Sequence, residues 1–144
     1  MTPDVNVLVA ASRADHAHHH AARGWLEAAL RDAASGQALL LMPMVATSFL
    51  RLVTHPRVFA EPTPTERALG FVDALLAAPG VRMPDIGTEW PVLRALCLAQ
   101  RLAANDLPDA WLAAAVRHLG DRLATFDAGF RKLLKRSEFT LLAG

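Results

Sequence analysis

The chain has 144 residues, of which 53% are hydrophobic and 20% charged, and its formal net charge at pH 7 is +1. That length suits one compact domain spanning residues 1–144, and the composition excludes a disordered chain. The near-neutral balance argues against gripping long stretches of nucleic acid by charge alone, and the single Cys97 excludes an internal disulfide.

The first apolar stretch, residues 4–10, is Val-rich and has strand character. His16 to Ala34 then carries Trp25, Leu26, Ala29 and Leu30 on one stripe, which predicts a helix closed by Gly36. Residues 38–44 form a continuous apolar run, as expected of a strand buried on both faces. Val45 to Thr54 reads as a second helix, closed by His55-Pro56. Thr63-Pro64-Thr65-Glu66 has the pattern of a capping box and predicts a helix to Ala78, broken by Pro79-Gly80. A short strand at 81–83 follows, then helices over 88–104, with Thr88 as cap, and over 107–119, ended by Gly120. A strand at 121–126, a short helix at 128–135 and a strand at 139–142 complete the chain. Alternating strands and helices argue for an α/β fold with a parallel sheet covered on both faces. In such sheets ligands sit beyond the carboxyl ends of the strands, at a switch point.

Acid residues stand at three strand ends or helix starts: Asp4, the pair Asp106 and Asp109, and Asp127. Asp106 and Asp109, three apart at a helix start, face the same way. Gathered carboxylates repel one another unless a cation neutralises them. Mg²⁺ or Mn²⁺ takes oxygen ligands, including one or two carboxylates, waters and substrate phosphates, and such an ion activates water and stabilises charge on a reacting phosphate. The chemistry suggested is phosphodiester hydrolysis. Each aspartate also has a plain structural reading. Asp106 and Asp127 could cap the helices that follow them, and Asp109 could serve the helix dipole. Periodicity does not decide whether the three places converge.

Four segments, in this order, resemble the PIN-domain family and, within it, the VapC-like toxin ribonucleases of type II toxin–antitoxin systems. They are Asp4 to Ala10, Phe49 to Phe59, Asn105 to Ala114 and Leu123 to Phe130. Asp-x-Asn-Val-Leu alone is weak, as is Thr-x-Asp; the set at these spacings is specific. The resemblance implies a three-layer sandwich, a parallel central sheet with helices on both faces. It implies an acidic cluster that binds Mg²⁺ or Mn²⁺ and cleaves RNA. By position, Asp4 is similar to the family's first metal ligand, Asp109 to the aspartate opening its Asp-Ala-x-Leu-Ala-Ala helix, and Asp127 to the acid of Thr-x-Asp. Asp106 resembles an additional acid carried by one subgroup. Asn6, Ser48 and Thr125 resemble supporting positions. Two departures matter. Ser48 stands where most members carry a glutamate, and Asp106 is the candidate to restore the missing carboxylate. The family's first strand also ends at Asp4, so the resemblance makes residues from Val5 onward helical, against the apolar pattern; Pro3 implies a short or irregular strand. A cognate VapB-like antitoxin and a homodimer are further expectations of the resemblance.

Other features are less telling. His16, His18, His19 and His20 cluster, and His16 and His20 are spaced to share a transition metal, but a solvated helix start is the expected reading. Trp25 is expected in the core, while Trp111, two residues from Asp109, is a candidate cleft residue for base stacking. Arg51, Arg57 and Arg131 are candidate phosphate contacts. No apolar run reaches the roughly 20 residues of a membrane span, and Met1-Thr2-Pro3-Asp4 lacks a signal-peptide pattern, so a cytoplasmic location and no membrane partner are expected. Two functions are carried forward: a metal-dependent endoribonuclease using Asp4, Asp106, Asp109 and Asp127, and a PIN-like module that binds RNA or protein without cutting.

Overall fold

The computed structural model describes all 144 residues. The first strand, β1 (Thr2–Pro3), is followed by helices α1 (Val5–Ser12) and α2 (His19–Ala34). Next come β2 (Leu39–Leu40), α3 (Pro43–Val53), α4 (Thr65–Ala77) and β3 (Val81–Arg82). The second half holds α5 (Trp90–Gln100), α6 (Leu107–His118), β4 (Leu123–Thr125) and β5 (Phe139–Leu141), with short 3₁₀ turns at Ala104–Asp106 and Ala128–Lys132.

All strand pairs are parallel. β1, β4 and β5 form one ladder in that order, and β2 pairs with β3. The Leu40 amide donates to the Met1 carbonyl at 2.9 Å, which aligns the two ladders into one layer of order β3-β2-β1-β4-β5. Pro3 explains the weak join. Successive strand residues aim their amides at opposite neighbours. Thr2 and Asp4 donate to the Arg122 and Ala124 carbonyls, both at 2.8 Å. The intervening amide would point to β2, and proline has none.

Helices cover both faces of this layer. α1 packs on α2 and α3, α3 on α4, and α5 on α6. The right-handed crossover rule puts α1 to α4 on one face, where the chain steps from β1 to β3, and α5 and α6 on the other, where it returns to β4. One continuous apolar core runs through Leu8, Phe49, Val53, Leu39, Leu123 and Phe130, each 1% exposed or less. Each such side chain contributes roughly 1.5–3 kcal/mol by leaving water. α6 lays Ala110, Ala113 and Ala114 against its neighbours, all fully buried; small residues let the helix that opens at Asp109 approach closely.

Several expectations are corrected. Residues 4–10 are not a strand. Asp4 ends β1 in extended backbone and its side chain caps α1. Val7, Leu8, Val9, Ala10 and Ala11 are all buried, so this helix shows no polar face and reads as a strand. Thr63 does not cap α4: its hydroxyl accepts from Arg13 Nη1 at 3.1 Å, and the helix starts after Pro64 without a side-chain cap. Thr88 does not cap α5, which begins at Trp90 after Glu89. The histidines stand at the start of α2 as expected, but of the four only His20 is exposed. His18 stacks on Phe126 with centroids 4.8 Å apart, and His19 Nδ1 lies 2.8 Å from the Ala10 carbonyl oxygen.

Candidate active site

The strand order reverses between β1 and β4, and the carboxyl ends of these two strands carry Asp4 and the Thr125-Phe126-Asp127 segment. The site begins there because parallel pairing in register, Thr2 with Leu123 and Pro3 with Ala124, brings residues 121 positions apart side by side.

Asp4 is 4% exposed. Its Oδ1 accepts from the Val5 amide at 2.7 Å and its Oδ2 from the Thr125 hydroxyl at 2.6 Å. Thr125 is fully buried and its oxygen is shared three ways. While donating to Asp4, it accepts from Asn6 Nδ2 at 3.2 Å and from the Asp127 amide at 2.9 Å. Asn6 also accepts from the Phe126 amide at 3.2 Å, which ties α1 to the end of β4. Asn6 and Thr125 therefore orient the Asp4 carboxylate.

Burial pushes the Asp4 carboxyl up to about 6, against the pull of the Thr125 and Val5 hydrogen bonds; the charges of Asp109 and Asp127 push the same way. Asp109 is raised too, by loss of hydration in the cleft wall first, although its side chain reaches solvent, and then by the charges of Asp127 and Asp106. Asp4, Asp109 and Asp127 thus lie within electrostatic reach of one another, with Asp106 coupled to Asp109. None of the four forms an ion pair; the pairs are Met1 amino group–Asp121, Arg13–Asp15, Arg23–Glu27 and Arg117–Glu138.

The two outer acids also do local work. Asp127 Oδ1 accepts from the Gly129 amide at 2.7 Å and caps the turn at 128–132, while Asp106 Oδ2 accepts from the Ala103 amide at 3.2 Å. Both are exposed, and neither lines the cleft that holds Asp4 and Asp109. Ser48, half-buried on α3, lines that cleft. No group of three or more His, Cys, Asp or Glu side chains converges tightly enough to hold a metal ion alone. The donor set nevertheless fits a hard cation, which commonly takes one or two carboxylates and completes its shell with water and phosphate. A buried carboxylate and its acidic neighbours, with no protein counter-charge, are relieved by such a charge.

The cleft, about 830 Å³, runs between α3, α5 and α6. Its walls are mainly apolar, with Met44, Leu93, Leu98 and Leu107 beside Trp90 and Trp111, and Arg94 is the cation that lines it. Trp90 is 62% exposed. Trp111 is held by its Nε1, which donates to Glu89 Oε1 at 2.6 Å. Glu89 is buried and also accepts from the Gly87 amide at 2.7 Å. Burial pulls the Glu89 carboxyl up, yet the Trp111 and Gly87 hydrogen bonds together hold it below the usual range. No sequence signal marks Glu89 or Arg94, because an acid before a helix and a helical arginine are both ordinary. Trp25 packs against the core, as expected, and Trp111 does line the cleft. Arg51 and Arg57 are exposed and lie outside the cleft lining.

The PIN domain family model matches residues 1–135. VapC ribonuclease Mb2897 of Mycobacterium bovis is 40% identical over 130 residues, covering 90% of this chain and 86% of that protein. The crystal structure of VapBC2 from Rickettsia felis, bound to a DNA fragment from its promoter, superposes with a TM-score of 0.67 at 14% identity, covering 99% of this chain and 98% of that one. VapC20 of Mycobacterium tuberculosis, described as a sarcin–ricin loop cleaving toxin, superposes with a TM-score of 0.60 at 16% identity over 90% of this chain and 92% of that one. The two structures bear on the fold.

Proposed function

This chain belongs to the PIN-domain family, among the VapC ribonucleases, and on that premise we propose that it is a metal-dependent endoribonuclease, the toxin of a toxin–antitoxin pair. The observation that carries the reading is the buried, unpaired Asp4 carboxylate, raised to about 6 and facing further acids at the strand-order switch point. Asp4 and Asp109 would hold Mg²⁺ or Mn²⁺, with Asp106 and Asp127 contributing directly or through water. The ion would supply a more acidic water and positive charge for the reacting phosphate.

The chain's own residues prepare that chemistry. Thr125 and the Val5 amide fix both Asp4 oxygens, so the carboxylate needs no reorientation to receive a cation. Asn6 locks Thr125 in turn. Ser48 offers a neutral hydroxyl at the cleft wall. Trp90 and Trp111 give flat apolar faces on which bases of single-stranded RNA can stack.

The same reading assigns a VapB-like antitoxin and a second copy of the chain as partners, in the cytoplasm. It is supported by α5, which buries Leu96 alone while Trp90 and Leu98 stay 62% and 65% exposed. No helix is long and apolar enough to cross a membrane.

Ser48 favours a second reading, a module that binds RNA or protein without cutting. Induced expression separates the two. A ribonuclease arrests growth and cuts RNA in Mg²⁺ or Mn²⁺; EDTA abolishes the cutting, and Asp109→Asn abolishes both effects. Equal arrest by both proteins removes catalysis from the explanation.

A further inference from the structure

A second cluster of charge lies along the strand that flanks β4. Arg122, Arg131 and Arg136 line one groove of about 660 Å³ on the edge strand β5, together with Thr140 and no acidic side chain. All three arginines are exposed, and none takes part in any of the four ion pairs. Arg122 Nε donates to the Thr140 hydroxyl at 2.9 Å, a neutral partner that fixes its direction and leaves its charge uncompensated. Of the acids in the flanking segments, Asp127 accepts from the Gly129 amide and two others are committed to ion pairs. Asp121 pairs with the amino terminus at 2.8 Å and Glu138 with Arg117 at 2.9 Å. In a chain of net charge +1, unmatched guanidinium groups gathered around one groove are a local excess.

Chain connections tie the groove to the acidic site. The turn that Asp127 caps carries Arg131. Arg122 precedes the three residues of β4 that end at Thr125, a span of about 10 Å at roughly 3.3 Å per residue. A polyanion entering the acidic cleft meets repulsion there, and Arg94 is the cation on that wall. Guanidinium forks match phosphate oxygens in shape and charge.

We propose that the Arg122–Arg131–Arg136 groove is a backbone-binding subsite for RNA, holding phosphates a few nucleotides from the bond at the acidic centre. This deepens the ribonuclease reading and rests on it for the position of the cut. The subsite supplies affinity and register, not sequence choice, because phosphates carry no base information.

The test is binding of a fluorescent 20-nucleotide single-stranded RNA, followed by anisotropy against KCl in EDTA. The wild-type chain is compared with Arg122→Gln/Arg131→Gln/Arg136→Gln and with a charge-matched control, Arg31→Gln/Arg67→Gln/Arg82→Gln. Each phosphate that the protein no longer neutralises lowers the slope of log affinity against log salt by about 0.7, so the groove variant loses about 2 from that slope. The control keeps the wild-type slope. Thermal melts confirm that both variants fold. An unchanged slope in the groove variant overturns the proposal, as does an equal fall in the control, which would make net charge the cause. Unchanged RNA binding with loss of binding to an acidic peptide makes the groove a protein site and also overturns it. Cleavage is scored separately in Mn²⁺. A chain that cuts RNA but keeps its slope refutes the groove alone. A chain that shows the slope difference but never cuts refutes the nuclease reading and leaves the groove standing.

Discussion

Replacing Asp4 by Asn isolates the cost of burying a negative charge at this site. The wild-type carboxyl has an ordinary value of 3.8 and is raised to about 6 in the folded chain. Between those values the folded state keeps a proton that the unfolded chain has released. Stability therefore falls as pH rises through this window, and the loss is complete above about pH 6. At about 1.4 kcal/mol per pKa unit the total is about 3 kcal/mol, of which about 2 kcal/mol falls between pH 4 and pH 8. Asn carries no charge and escapes this loss. It brings a separate cost, because its amide meets a Thr125 oxygen that already accepts from Asn6 and Asp127. That cost does not depend on pH and cancels when the two proteins are compared across pH. Urea denaturation in EDTA at pH 4, 6 and 8 is the assay, with the m-value as the control for unchanged exposure. The stability difference between variant and wild type should move by about 2 kcal/mol in the variant's favour from pH 4 to pH 8. Adding Mn²⁺ at pH 8 should stabilise the wild type, by about 2.7 kcal/mol at a hundred times its dissociation constant, and leave the variant unmoved. Parallel pH curves for the two proteins would refute the assignment of a strained buried charge to Asp4.

Thr125→Val keeps the shape of the side chain and removes its oxygen. The Asp127 amide and Asn6 lose their acceptor and Asp4 its donor, so stability falls by about 2 kcal/mol in urea titration. The Asp4 carboxyl also rises further, moving the onset of cleavage to higher pH in a pH–rate profile. Glu89→Ala leaves Trp111 Nε1 and the Gly87 amide without acceptors and costs about 2 kcal/mol, whereas Glu89→Gln retains an acceptor and costs less. A red shift of tryptophan emission in the alanine variant alone would report release of Trp111.

Much of the architecture is legible in the sequence, for identifiable reasons. β2 and the body of α3 are legible because residues 38–44 open on an unbroken apolar run and a helical pattern follows from Val45, but the strand is shorter than that run and α3 already begins at Pro43. α6 is legible from Pro108 at its start and Gly120, with φ +64, just after its end. α1 is not legible from periodicity, since a helix enclosed by α2, α3 and β4 has no solvent face to break its apolar run. Only the resemblance to a family puts its start at Val5. Caps fail for a related reason. Thr63 has the right chemistry for α4, but buried Arg13, stacked 3.8 Å from the Phe59 ring centroid, claims its hydroxyl. At the site, Asp4 stands out as an acid beside an apolar stretch, whereas Asn6 and Thr125 are named only by the resemblance to a family, since a polar residue near a strand end is ordinary. The Glu89–Trp111 latch and the arginine groove cannot be read from the sequence, because each joins residues from different elements whose meeting no local pattern records.

The pairing of Asp4 with Thr125 spans nearly the whole chain, and this gives the site a timing property. More than a hundred residues separate Asp4 from β4 in the chain, and β5, which flanks β4, follows later still. Until the strands pair, the first aspartate has no hydroxyl to orient it and no acidic neighbours, and closing so long a loop is slow relative to local helix formation. The orientation of Asp4 is therefore acquired in a late, non-local folding step, after the helices that lie between it and β4 have formed.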